Sequence, residues 1–158
     1  MADVLEDRAD LDSWRVKLWE TIEATQRLDW MLLTKRPERF SILPPEIVQR
    51  VWAGTTVESQ EYADRIAHLP ELARVRFVSA EPLLGPLDLR RYLGRVDWVI
   101  CGGESGPRFR EMDLEAAQAL VLQARRAGLA VYVKQDSAQW SGRQGRIPDE
   151  WCSKEWPA

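Results

Sequence analysis

Three glutamates, Glu58, Glu81 and Glu104, stand 23 residues apart in this sequence, and each follows a short apolar run. The repeat is one of position and not of sequence. If the apolar runs are neighbouring parallel strands, about 4.8 Å apart, the three carboxylates converge over one mouth. There they would hold a metal ion, an amine or ribose hydroxyls. Cations occupy matching places. Lys35 and Arg36 follow the first run and suit a phosphate or carboxylate clamp. Lys134 and Gln135 follow the last. Adjacent side chains at a strand end point to opposite sides, so one of Lys35 and Arg36 faces the mouth. The loop Gly102-Gly103-Glu104-Ser105-Gly106 lets backbone approach a ligand closely.

Each feature also has a purely structural reading. Glu81 precedes Pro82, so it can be a helix-entry acid beside a first-turn proline. Lys35 and Arg36 can be a solvated loop before Pro37. The glycine loop can be a tight turn with Arg108 and Arg110 exposed beyond it, and it is not a G-x-G-x-x-G fingerprint. Cys101 reads as a buried, inert thiol, because no histidine is near it in sequence. His68, the only histidine, reads as a helix C-terminal residue. No Ser-His-Asp triad and no His-based metal site can be assembled. The expected site is therefore a ligand site of Lys35, Arg36, Glu58, Glu81, Gly102, Gly103, Glu104, Ser105, Lys134 and Gln135, with no catalytic residue assigned and no metal.

The elements that must position these groups alternate along the chain. Residues 29–34, 51–56, 75–80, 97–101 and 130–134 read as strands, apolar on both parities, a pattern that fits a parallel sheet covered on both faces. Between them the periodicity predicts helices over 11–25 (stripe Trp14, Leu18, Ile22), 45–50, 59–69 (Tyr62, Ile66, Leu69), 87–93 and 113–127. In the last of these Asp113 is the N-cap and Gly128 the C′ residue. Trp14, Trp19, Trp30, Trp52 and Trp98 read as core. Trp140, Trp151 and Trp156 lie in a polar tail that packs on the domain or exposes an interface. The expected fold is α/β: a parallel βα-repeat sheet of about five strands, an incomplete TIM-like barrel. Residues 1–135 form the domain and 136–158 its tail.

The composition bounds the function. The 158 residues carry a formal charge of −3, with 45% hydrophobic and 30% charged residues. The chain is globular, and its charge argues against a broad nucleic-acid footprint, although a local basic groove is compatible with it. Two cysteines, with no C-x-x-C pair, make a disulfide framework or structural zinc site unexpected. With no apolar leader at the start and no long apolar run, the expectation is a cytoplasmic protein without a membrane segment.

The series Leu32-Leu33-Thr34-Lys35-Arg36-Pro37, Val51-Trp52-Ala53-Gly54-Thr55-Thr56-Val57-Glu58, Arg76-Phe77-Val78-Ser79-Ala80-Glu81-Pro82-Leu83-Leu84-Gly85-Pro86 and Asp97-Trp98-Val99-Ile100-Cys101-Gly102-Gly103-Glu104-Ser105-Gly106, with Val133-Lys134-Gln135, resembles a widespread, largely uncharacterised family of phage and bacterial proteins. That family in turn resembles the radical S-adenosylmethionine enzymes, which use a partial β/α barrel. The resemblance implies S-adenosylmethionine and a [4Fe–4S] cluster in longer relatives, whose upstream segment carries a three-cysteine motif. This chain lacks the motif, so no cofactor is expected for it alone. Its Met-Ala-Asp-Val-Leu-Glu-Asp start looks like the end of an early barrel strand.

Two functions follow as expectations. In the first, the chain is the C-terminal, substrate-side part of a radical S-adenosylmethionine-like protein, inactive without the cluster-binding segment. In the second, it is a non-enzymatic phage accessory protein that binds a host protein or nucleic acid in the host cytoplasm. The expected partners are an upstream cluster-binding polypeptide or a second copy of the chain. An open sheet would leave residues 29–34 or 130–134 near an edge, to be covered by the tail or by such a partner.

Overall fold

The computed structural model describes residues 3–157. Five strands, β1 (Trp30–Thr34), β2 (Val51–Thr56), β3 (Val75–Ala80), β4 (Trp98–Cys101) and β5 (Ala130–Val133), form one sheet in the order β1-β2-β3-β4-β5. Every neighbouring pair is parallel. The expected open, partial βα sheet is borne out. Parallel neighbours in sequence order require crossovers of one hand, so the connecting elements lie on a single face. That face carries the main core, where Leu32, Ala53, Val78, Ala80, Val99, Val131 and Val133 meet the helices.

The expectation that both faces are covered is therefore corrected. The opposite face carries a separate small cluster of Trp52, Val75, Phe77, Trp98 and Ile100, flanked by Ala130 and Tyr132. At its β1 end Met31 and Leu33 are 41% and 44% exposed. Strands apolar on both parities arise here because the second face is aromatic and aliphatic without a helix layer above it.

Helix α3 (Leu114–Arg126) is the best defined by its sequence. The Asp113 carboxylate accepts from Glu115 N at 2.9 Å and Ala116 N at 3.1 Å. Ala117, Leu120, Val121 and Ala124 are buried over β4 and β5, and Gly128 leaves the helix at φ +73°. Helix α1 (Asp12–Ala24) turns Leu18 and Ile22 of the expected stripe inward but leaves Trp14 outside it, with Arg15 buried instead. Arg15 and Ile22 are buried with Leu18 and Trp19 beside them, whereas Trp14 is 63% exposed. The Arg15 guanidinium donates to the carbonyls of Val4, Arg8 and Glu6 and to Asp12. Those bonds hold the N-terminal turn and set the rotation of the helix. The short helix α2 (Pro45–Val48) buries Ile47 and Val48.

Residues Gln60–His68 form a 3-10 helix. Three residues per turn aligns Ala63, Ile66 and Leu69 inward, and Tyr62, expected in that stripe, is largely outside it. No helix forms over 87–93; a 3-10 turn at Leu93–Arg95 is all that follows. Side chains take the backbone partners a helix would have used. Gln123 bonds Leu87 O and Leu89 N, and Gln60 bonds Asp88 N and O.

The tail returns along the outer edge of β5. Val133 N donates to Ser153 O and Glu155 N to Val131 O. Ile147 and Trp151 join the main core, and Trp156 lies over the opposite face, its ring 5.0 Å from that of Trp98. Among the described residues no helix is long and apolar enough to cross a membrane.

Candidate functional site

The carboxyl ends of the strands place charged side chains in a row above the helix-free face. Strand parity decides which residues reach it. Met31 and Leu33 face it, and the alternation of side chains assigns Lys35, two residues on, to the same side. Phe77 and Ser79 face it, and so does Glu81; Tyr132 faces it, and so does Lys134. Two of the expected carboxylates are each matched there with a cation. Lys35 donates to Glu58, whose other oxygen takes Arg65 Nη1 at 3.0 Å. Lys134 Nζ stands 3.1 Å from Glu81 Oε2, and Ser79 Oγ donates to Glu81 Oε1 at 3.2 Å.

Glu58 is buried, which by itself would raise its carboxyl pKa. The hydrogen bond from Lys35, with the charges of Lys35 and Arg65, outweighs that and holds it below the ordinary value. Gly102 makes room for Glu81, since a Cβ at 102 would stand 2.9 Å from Glu81 Oε2.

The third carboxylate is elsewhere. Glu104 takes a two-pronged hydrogen bond from Arg110, with Nε at 2.9 Å and Nη2 at 2.9 Å, and Arg110 N at 2.8 Å. Those bonds pull its pKa down to about 2. The expected convergence of the three glutamates is thus corrected: each is neutralised by its own cation. Among the described residues no group of three His, Cys, Asp or Glu is placed to hold a metal ion. Neither is Glu81 a helix-entry acid, for no helix follows Pro82.

Arg36 also leaves the mouth. It turns to the helix side, 3.6 Å from both Asp3 and Glu6, as the alternation of adjacent side chains requires. Gly103, Gln135 and Ser105 tie the glycine loop to the tail. Gly103 N donates to Gln135 O, the Gln135 amide spans Gly103 O and Gly142 N, and Ser105 forms a β-bridge with Ala138. A Cβ at Gly103 would collide with Ser137 N, so this glycine allows tail and loop to touch.

Beneath Glu81 and Lys134 lies a trough of about 290 Å³ lined by Met31, Leu33, Phe77, Trp98, Tyr132 and Trp156, with Ser79 at its polar end. The sequence reading missed this floor. Its signal was the parity of Phe77, Trp98 and Tyr132, which places three aromatic residues on one face. A larger groove of about 720 Å³ beside Gln60, Asp88 and Gln123 contains none of the strand-end residues.

Cys101 is fully buried, and burial, with Glu81 adding to it, pushes its thiol up to about 12. It is no nucleophile near neutrality. Iodoacetamide at pH 8 is expected to label only the half-buried Cys152 in the native chain and both thiols in denaturant. Two equivalents taken up natively would show that Cys101 is accessible.

No curated protein and no solved structure matches the chain. One family does, over residues 1–152, and the chain therefore belongs to the family described as "Protein of unknown function (DUF5131)".

Proposed function

We propose that this chain is the substrate-side part of a larger protein of the radical S-adenosylmethionine type, and that it holds its ligand in the trough on the helix-free face. The observation that supports this reading is the one-sided winding of the sheet. A curved parallel sheet with all its crossovers on one face turns the other face inward when further strands extend it, as in a β/α barrel. In this chain that face ends in Ser79, Glu81 and Lys134 at the strand carboxyl ends, where such folds hold ligands. The aromatic floor takes a flat apolar group. The Glu81–Lys134 pair takes polar groups of either sign by exchanging one partner for the ligand.

The chain's own residues do not fit a [4Fe–4S] cluster, which needs several neighbouring thiolates. It has two cysteines, and one of them is Cys101, buried and protonated. In this reading a cluster is held by cysteines outside these 158 residues.

The alternative, a non-enzymatic protein that binds a host protein, draws on the exposure of Met31 and Leu33 on the same face. Nucleic acid is less favoured. Lys35, Lys134 and Arg110 are each paired to a carboxylate, which leaves little of the positive field that phosphates need.

The test is anaerobic co-expression of the chain with the three-cysteine segment of a longer family member, read by iron and sulfide content and by equilibrium dialysis of S-adenosylmethionine. The expected result is a co-purifying complex that holds a cluster and binds S-adenosylmethionine, and in which Glu81→Gln weakens small-molecule binding without dissociating the complex. Failure to co-purify, or a complex without iron, overturns the reading in favour of the accessory protein.

A further inference from the structure

The two edges of the sheet are treated differently. Along β5 the chain covers its own edge, with Ser153 O and Glu155 N bonded to Val133 and Val131. Along β1 no such segment lies among the described residues. The N-terminal turn is on the helix side, where Leu5 enters the main core and Asp3 takes the Thr34 hydroxyl proton.

The backbone phase of β1 follows from its neighbours. Val51 O and Val57 N of the β2 segment bond towards β3. The intervening residues of β2 must therefore bond towards β1, because alternate residues of a strand direct their peptide groups to opposite sides. With Met31 opposite Trp52 and Leu33 opposite Gly54, the peptide groups of Met31 and Leu33 point outward from the sheet. Between Trp30 and Thr34 there is no proline, glycine or charge of the kind that guards an exposed edge.

We propose that this edge is the seat of a second copy of this chain, the two β1 strands pairing antiparallel about a two-fold axis at Leu32. That register makes the segment complementary to itself. Met31 exchanges both backbone hydrogen bonds with the partner copy's Leu33, and Leu33 with the partner copy's Met31. The apolar side chains that are 41% and 44% exposed then cover one another as cross-strand pairs. The flanking charges match as well: Asp29 falls opposite Lys35, once on each side of the axis. Each charge thereby joins a pair already present, Asp29 with Arg74 and Lys35 with Glu58. The interface is isologous and closed, and it places two troughs side by side on one continuous ten-stranded sheet. The second copy takes the edge that added strands would take in the reading above, since β5 is already covered; the dimer is thus the state of this chain without such a partner, and sedimentation of the chain alone tests it apart from the co-expression experiment.

Sedimentation velocity over a concentration series tests it. The wild-type chain is expected to associate to a dimer. Asp29→Lys or Lys35→Asp alone puts like charges opposite each other twice and is expected to weaken dimerisation by about tenfold or more. The double variant Asp29→Lys/Lys35→Asp restores opposite charges in this register and should return the affinity to near wild type. Melting curves of dilute samples separate loss of association from loss of folding. A chain that stays monomeric at every soluble concentration overturns the proposal. So do single variants that dimerise like wild type, and a double variant that does not recover.

Discussion

Asp136→Ala is expected to destabilise the folded chain by about 3 kcal/mol and to free the tail. The general cost of removing one partner from a buried pair is about 3–5 kcal/mol, and the lower end applies because Arg146 is about half exposed. Asp136 is 2% exposed. Its carboxylate takes Arg146 Nε and Nη2 at 2.8 Å each, Arg146 N at 2.8 Å and Ser137 N at 2.7 Å. One buried acid thus fixes the turn from which the tail returns to bury Ile147 and Trp151 and to cover the β5 edge. For a chain of this length, 3 kcal/mol corresponds to a fall in Tm of roughly 6–12 °C.

The pH dependence has a definite sign. Burial would raise the Asp136 pKa, but the bonds from Arg146 and Ser137 outweigh it and the net value is lowered. A depressed carboxyl contributes its full stability above its unfolded pKa, near 3.9, and loses it as pH falls through the lower folded value. The gap in Tm between wild type and Asp136→Ala should therefore be constant at neutral pH and narrow below about pH 4. Scanning calorimetry at several pH values reads both quantities. A variant that melts within a degree or so of wild type at pH 7 would show that the tail is held by its apolar contacts alone.

Gly54→Ala is the second large effect, expected to cost about 2–3 kcal/mol, at the upper end of what overpacking a core does. Gly54 sits beside Phe77 in the β2–β3 register, and the Phe77 ring lies flat where a side chain at 54 would be. An added Cβ would collide with Cζ, Cε1 and Cε2 at the outer end of that ring, which is itself buried and packed on Trp98 with centroids 5.8 Å apart. The ring must tilt, and it takes the floor of the trough with it. The double variant Gly54→Ala/Phe77→Leu removes the colliding ring edge and is expected to recover a large part of the loss, a coupling that a double-mutant cycle in urea measures. Additive effects of the two substitutions would mean that glycine is needed at 54 for some reason other than room for Phe77.

The sequence by itself determined the strands almost to the residue, because five short runs apolar on both parities, separated by helical periodicity, leave little but a parallel βα sheet. It also located α3, through Asp113 and Gly128, and the charged residues at the strand ends. It did not show that one face of the sheet would lack helices. Apolar alternation is the same whether a face is covered by helices or paved with aromatic rings, and only strand order distinguishes them.

Pairing was likewise a tertiary decision. The equal spacing of Glu58, Glu81 and Glu104 suggested one cluster, but the cations that took them came from different elements: Lys35 and Arg65, Lys134, and Arg110. A partly buried carboxylate is stabilised by the nearest guanidinium or ammonium; Arg65 and Arg110 are near their glutamates in sequence, but the nearness of Lys35 to Glu58 and of Lys134 to Glu81 is set by the fold. The same holds for Asp136, which the sequence reading left in a polar tail. Its role depends on burial and on Arg146 ten residues later, and neither residue type nor spacing carries that information. Gly54 looked like an ordinary strand glycine and Gly103 like part of a ligand loop; what demands them is the Phe77 ring in one case and the Ser137 backbone in the other, atoms that only the folded chain brings against them.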